Sequence, residues 1–346
     1  MSATETIHRR PNGKIQTTVN GKGANGTSNK PPPTRFDGVT TGSWVSLFPP
    51  GVIPYIQLAR LSPPVPLLLI FFPHLFGLLH ASITLSSPLP HLLSISAVLF
   101  VGSFFLSNAI HGWNDLIDAP IDAQIPRTAK RPIPRGAITE RQAFVFTAVN
   151  AVIGFALFGT GWLPTETAWA SIPSTVANFY YPFSKRHTHF PQVVLGVALQ
   201  WAVVVGSSAL GVHKAWKDTS VQALFAASLL WTVVYDTVYG FQDYDMDIKI
   251  GVKSTAVLIG RTWGKTILWL LSNIVVGLLV AAGWYAGIRG AVYYVVAAGG
   301  SFASLNLMMA MVDLSEPDSC SWWFTYGFWG PAIGISTGLL GEYVLA

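Results

Sequence analysis

Along most of this chain, apolar runs of about 20 residues alternate with short polar breaks. A helix of that length spans the hydrocarbon core of a bilayer, because ~20 residues rising ~1.5 Å each cover ~30 Å. Nine such runs are legible, at 64–85, 92–113, 142–163, 165–183, 193–212, 221–242, 265–287, 290–312 and 321–344. The fourth, "TETAWASIPSTVANFYYPF", is the least regular, since Glu166, Pro173 and Asn178 interrupt it. The pattern predicts an all-α polytopic membrane protein of nine transmembrane helices, the class in which each helix satisfies its own backbone polar groups.

Composition agrees with the pattern. The chain is 51% hydrophobic and 11% charged, against about 25% charged in ordinary soluble domains. One cysteine, Cys320, excludes an internal disulfide and a cysteine-rich metal site. The net charge of +5 does not call for nucleic acid, because excess Lys and Arg in such proteins mark cytosolic loops. The N-terminal residues are different in kind. Rich in Gly, Asn, Thr and Pro, they predict a disordered cytosolic tail over 1–50, ahead of a membrane domain over 51–346. The tail lacks the apolar stretch of a secretory signal. Arg9, Arg10 and Lys14 suit a mitochondrial presequence, but the nearby prolines and glycines oppose the amphipathic helix it needs. The expected location is therefore the endoplasmic reticulum or another endomembrane rather than the mitochondrial inner membrane.

Orientation follows from the short loops. Those after the second, fourth and sixth runs hold eleven basic residues, and the loops on the other side hold three, Lys214, Lys217 and Arg289. The cytosolic side is thus the side of the tail and of the even-numbered loops.

On that side lie two acidic clusters. In "WNDLIDAPIDAQIPRTAKRPIPRG", residues 113–136, Asn114, Asp118 and Asp122 fall at i, i+4 and i+8 of a helix, with Asp115 beside them. In "YDTVYGFQDYDMDIKIGVKSTA", residues 235–256, Asp243 and Asp247 are again four apart, and Asp236 precedes them by two turns. Stacked carboxylates repel one another, and an ionised Asp inside a span costs ~2.5–3.5 kcal/mol on insertion scales. A hard cation offsets both costs, and an all-oxygen donor set favours Mg²⁺. Beside the acids stand Arg127, Arg131, Lys185, Arg186, Lys249 and Lys253, residue types that bind phosphate oxygens. The combination predicts a ligand with a diphosphate head at the rim and a hydrocarbon tail among the helices. Any one of these bases alone is more simply a topology signal, and one interfacial Asp alone is a helix cap. Two acidic rows of the same polarity, each followed by bases, fit neither of those descriptions. His80, His111, His187, His189 and His213 show no metal-ligand spacing and read as interfacial; Asp313, Glu316 and Asp318 read as a solvated turn.

These residues resemble a known family. "NDLIDAPIDAQIPRTAKRPIPRG" is similar to the NDxxDxxxD…RTxxRPxxxG signature of the UbiA-type intramembrane aromatic prenyltransferases. "YPFSKRHTHFPQVVLG", 181–196, and the 235–256 segment resemble that family's other two conserved stretches, and "LARLSPPVPLLL", 58–69, is a fainter echo. The resemblance implies a nine-helix bundle with a central cavity, using Mg²⁺ to transfer a prenyl group from its diphosphate to an aromatic acceptor. It implies metal roles for Asn114, Asp115, Asp118, Asp122, Asp243 and Asp247, diphosphate roles for the six bases, and an acceptor role for Arg60. Met246 stands where many relatives carry Asp, and Ser62, Pro63 and Pro66 depart from the first-span pattern, which bears on acceptor recognition. Within the family, "WNDLIDAPIDAQ" looks most like fungal meroterpenoid-pathway enzymes, which implies farnesyl transfer to a polyketide-derived phenol or phenolic acid. The alternatives are a 4-hydroxybenzoate polyprenyltransferase of ubiquinone biosynthesis and a membrane terpene cyclase, which would need no aromatic acceptor. A transporter would place its acids near midspan, away from phosphate-binding bases. In the implied reaction, ring faces of Tyr180, Tyr181, Trp201, Tyr235 and Tyr239 steady an allylic cation, and Asp243 or Asp236 takes the ring proton. The oligomeric state is not legible in the sequence.

Overall fold

A computed structural model describes Val39 and residues 41–345. The tail reading, including the presequence residues Arg9, Arg10 and Lys14, falls almost wholly outside the described residues. Residues Ser43–Leu47 form a 3-10 turn with Val45 buried, and the Ser62 hydroxyl accepts a hydrogen bond from the Gly42 amide at 2.8 Å.

The regular structure among the described residues is all helical, with no strand. A short α1 (Ile53–Leu58) leads into α2 (Val65–Leu85) and α3 (Leu89–Asp122). Next come α4 (Glu140–Ala156), α5 (Thr165–Ala170), α6 (Ile172–Ser184), α7 (Pro191–Gln200) and α8 (Ala202–Ala209). The second half runs through α9 (Thr219–Gly240), α10 (Tyr244–Ile250) and α11 (Thr255–Tyr285). It ends with α12 (Gly300–Met311), α13 (Pro317–Trp322) and α14 (Trp329–Leu345). Wide π turns at Tyr293–Gly299 and Trp323–Gly327 lead into α12 and toward α14.

Seven stretches among the described residues are long and apolar enough to cross a bilayer, not the nine expected; one of them joins α7 and α8 across Trp201. The fourth and ninth runs are helical but broken. Between α5 and α6 the chain turns at Ser171, where Pro173 supplies no N–H to the first turn of α6. The hydroxyls of Ser171, Ser174 and Thr175 donate to nearby backbone carbonyls there, competing with the helical ladder. The ninth run is divided among α13, the second π turn and α14. The chain is an integral, multi-pass membrane protein.

Close approach of backbones binds the bundle. Where α2 crosses α8, a Cβ on Gly77 would meet the Val203 carbonyl at 2.0 Å, and one on Gly206 would meet the His74 carbonyl at 2.2 Å. Lipid tails are as apolar as Leu, so helix association in a membrane leans on such small-residue contacts. The buried Ser207 hydroxyl crosses the same seam to the Gly77 carbonyl at 3.1 Å. Around it sits an aromatic core in which Trp231 packs on Phe76 and Tyr235.

One dimension positions the site. Helix α3 has 34 residues, hence a length of about 50 Å, well beyond the ~30 Å hydrocarbon core. Its last turns, carrying Asn114 to Asp122, follow the apolar stretch and are met by the bases Arg131 and Lys185.

Candidate active site at the ends of two helices

The end of α3 and the end of α9 face one cavity of about 200 Å³. From α3 it is lined by Asn114, Asp118 and Asp122, and from α9 and the residues beyond it by Asp236, Asp243 and Asp247. The two acidic rows, over a hundred residues apart in sequence, are walls of the same chamber.

One base links the two rows, and two others hold the first. Arg127, which follows the first row, donates to both carboxylate oxygens of Asp243 in the second, at 2.5 and 3.2 Å, and to the Tyr239 hydroxyl at 2.9 Å. Lys185, at the end of α6, donates to Asp118 Oδ2 at 2.7 Å and lies over the Tyr181 ring. Arg131 joins Asp122 at 2.7 Å and Asp115 at 3.3 Å. Burial opposes the charge on each of these bases, and the facing groups more than offset it. Tyr239 and Asp243 hold Arg127 above its ordinary range, Asp115 and Asp122 do so for Arg131, and Asp118 with Tyr181 for Lys185.

The positive charge is spread unevenly. Burial, reinforced by the charge of Asp243, pushes the Asp247 carboxyl up to about 7. Asp118 Oδ1 and Asn114 Oδ1 are buried without a hydrogen-bond partner, an expensive condition for a polar oxygen. Hard oxygen donors short of positive charge, on the wall of one chamber, suit Mg²⁺. Among the described residues no three His, Cys, Asp or Glu side chains converge as a closed cage. Magnesium needs none, because it retains waters and typically takes one or two carboxylates plus substrate phosphates.

Several residues singled out in the sequence lie elsewhere. Asp115 is buried at 2% exposure but does not line the chamber; it is clasped by Arg60 at 2.7 Å and by Arg131. The helical pitch turns it away from the Asn114 and Asp118 face. Arg186 is likewise off the wall, donating to the carbonyls of Pro182 and Ile117 at 2.9 Å each. Lys249 is exposed on α10 and lines nothing. Asp245 is engaged by Arg261 at 3.1 Å, outside the chamber.

Lys253 and Arg60 do reach the wall, Arg60 from a left-handed backbone conformation with φ 53°. Tyr181, Tyr235 and Tyr239 also line it, whereas Tyr180 is at the surface, bonded to His187, and Trp201 is engaged by the Ala170 carbonyl. Among the lining residues that sequence reasoning missed are His111, Gln192 and Phe324. A signal existed for His111, which shares a helical face with Asn114 and Asp118. The Gln192 side chain accepts from the Thr255 amide at 2.9 Å, tying α7 to the start of α11. Phe324 packs at a tilt on Tyr239 with centroids 4.1 Å apart, and comes from a run with no motif at all.

A second, apolar cavity of about 230 Å³ adjoins the first and shares Ile70, Ile110 and Leu199 with it.

Comparison with known proteins gives this geometry a context. Residues 70–330 match the model of the UbiA prenyltransferase family. The 4-hydroxybenzoate polyprenyltransferase, mitochondrial, of Saccharomyces cerevisiae is 32% identical over 90% of this chain and 80% of its own. The 4-hydroxybenzoate octaprenyltransferase of Yersinia enterocolitica is 37% identical over 74% of this chain and 85% of its own. In fold, the chain superposes on the UbiA homolog of Aeropyrum pernix K1 with a TM-score of 0.64 at 23% identity, covering 80% of this chain and 97% of that one. It superposes on the Archaeoglobus fulgidus homolog, solved with DMAPP and Mg²⁺, with a TM-score of 0.63 at 18% identity, covering 84% and 99%. With three quarters of its length inside the family match and both acidic motifs on one chamber, the chain belongs to the UbiA prenyltransferase family.

Proposed function

We propose that this chain is an aromatic prenyltransferase that moves a prenyl group from its diphosphate to a phenolic acid of the 4-hydroxybenzoate class, with Mg²⁺ as cofactor. The observation that carries the reading is the crossed pairing on the chamber wall, with Arg127 from the first motif segment on Asp243 of the second. A diphosphate with its cation fits such an array without adding uncompensated charge. The bases now on carboxylates would be available to phosphate oxygens, and the carboxylates to a divalent cation.

In this reading Asn114, Asp118, Asp122, Asp243 and Asp247 are the residues that would hold Mg²⁺, while Asp115 fixes Arg60 and Arg131. The cation would neutralise charge building on the leaving diphosphate. Arg127, Arg131, Lys185 and Lys253 stabilise the same oxygens, in a site whose low polarity strengthens each contact. Tyr181, Tyr235 and Tyr239 present ring faces that steady an allylic cation by ~0.5–2 kcal/mol each, and the apolar walls exclude water. Asp236 lines the chamber and has no ion-pair partner among the described residues, so it is the carboxylate placed to accept the ring proton. The adjoining apolar cavity takes the hydrocarbon tail. The two broken segments, residues 165–184 and 317–345, complete a nine-span bundle.

The named relatives favour a 4-hydroxybenzoate acceptor and a long polyprenyl donor. A second reading, farnesyl transfer to a polyketide-derived phenol in meroterpenoid synthesis, rests on the resemblance of "WNDLIDAPIDAQ", and Ser62, Pro63 and Pro66 bear on it by changing the neighbourhood of Arg60. The location follows the same choice, a mitochondrial membrane for the first and an endomembrane for the second. Membranes containing the protein, given Mg²⁺ and either farnesyl or a longer prenyl diphosphate with a panel of phenolic acids, test both by product mass. No prenylated phenol from any pairing overturns the proposal, and a cyclic terpene from donor alone would replace it with the cyclase reading.

A further inference from the structure

His111 is not interfacial: it lies on the wall of the main chamber. Its Nδ1 is 2.7 Å from the Ser107 carbonyl oxygen, one turn earlier on α3. A carbonyl can only accept, so that nitrogen carries a proton, and when the ring is neutral Nε2 presents a bare lone pair. Among the described residues Nε2 has no hydrogen-bond partner. The chamber therefore contains a fixed, neutral hydrogen-bond acceptor that the diphosphate chemistry does not use.

Its depth says what it would meet. His111, Asn114 and Asp118 lie at i, i+3 and i+7 on one helical face, so the histidine is about 4.5 Å from Asn114 and about 10 Å from Asp118 along the axis. It is displaced from the metal-binding oxygens toward the membrane interior, next to Ile110, where the two cavities meet. The reacting carbon of a prenyl diphosphate is bonded directly to the phosphate oxygen. An aromatic ring attacking that carbon must lie beside it, at this depth.

We propose that His111 binds the phenolic hydroxyl of the acceptor, taking a hydrogen bond at Nε2. This rests on the phenol-prenylating reading above and adds the residue that selects for a free hydroxyl. The contact turns the carbon adjacent to the hydroxyl toward the prenyl group and, by drawing on the O–H, enriches that carbon in electron density. A protonated histidine would serve neither purpose, having no lone pair and repelling the allylic cation. The Ser107 hydrogen bond is thus part of the device, since it keeps the proton on the far nitrogen.

The test pairs a residue change with a substrate change. Wild type and His111→Phe are each given 4-hydroxybenzoate and its methyl ether, 4-methoxybenzoate, with Mg²⁺ and the prenyl diphosphate the wild type uses. Wild type should favour the hydroxyl over the ether by about tenfold or more in kcat/KM, and the variant should narrow that preference to within about threefold. The donor KM should be unchanged in the variant, and His111→Gln, which restores an acceptor oxygen, should recover most of the preference. A preference that survives in His111→Phe overturns the inference. So does a wild type that treats the two acceptors alike, an outcome that needs no variant to fold. A wild type that prenylates no phenol at all overturns the function proposed above and this inference with it, whereas an active wild type with an unaltered variant overturns this inference alone.

Discussion

At the scale of single residues, the chamber sorts bases that are indistinguishable along the chain. Arg127 and Arg186 are both guanidinium groups a few positions from an acidic motif or its basic neighbour, yet one bridges to Asp243 while the other caps backbone carbonyls. Arg127→Ala should lower kcat/KM by two to three orders of magnitude, the usual cost of one preorganised partner of developing charge. Lys249→Ala should leave steady-state rates within about twofold, because an exposed side chain off the wall contributes little. Assays on purified protein with saturating acceptor check both.

Asp247 adds a prediction about stability. Its carboxyl titrates near 7 in the folded chain and near 3.8 by itself, so the folded state binds the extra proton between those values. Stability from this group is full below about 4 and declines as pH rises through 7. In Mg²⁺-free buffer, Asp247→Asn should therefore raise the detergent melting temperature at pH 8 and change it little at pH 4. A variant that is less stable than wild type at pH 8 would contradict the electrostatic picture.

At the scale of elements, the helices were legible where a run was long and unbroken, and less so where the chain bends. Pro173 and a cluster of hydroxyls divide the fourth run, and a π turn divides the ninth. Hydropathy averages over such breaks, since both sides of each remain apolar. The acidic motifs were readable because their spacing matches a helical face, and the chamber confirms that Asn114, Asp118 and Asp122 share one. Asp115 misled for a related reason: adjacent residues in a motif point about 100° apart on a helix. The contribution of Phe324 was invisible, as nothing local distinguishes a lining aromatic from a lipid-facing one. The α2–α8 seam was invisible too, because glycines mark close approach only once the partner is known. Replacing Gly206 with Leu should displace α8 from the His74 carbonyl and cost about 1–3 kcal/mol or more, read as a lower melting temperature in detergent. Leu in place of Gly277, where a Cβ would meet nothing within 4 Å, is the matched control and should melt as wild type does.

At the scale of the whole molecule, the layout follows from one division of labour. Apolar helices form the barrel of the chamber, and two of them end in carboxylates at the same rim. The loops after those ends carry the bases, so the positive-inside bias and the proposed diphosphate site share residues. That coincidence is why the topology argument and the chamber single out the same end of the bundle. It also ties activity to orientation. Single cysteines placed at Lys130 and Lys214 in a Cys320→Ser background should be labelled by an impermeant maleimide from opposite sides of sealed vesicles. Labelling of both from one side would dismantle the span assignment.

The most direct measurement addresses the shared grip of the two motifs. Binding of a non-reactive prenyl thiodiphosphate, with and without Mg²⁺, is compared in wild type, Asp118→Asn, Asp243→Asn and the double variant. If both carboxylates hold one metal–diphosphate unit, each single change removes most of the Mg²⁺-dependent affinity and the double variant is scarcely worse than either. Losses that simply add, or Mg²⁺-dependent binding that persists in both single variants, would show that the two helix ends do not act on a common ligand.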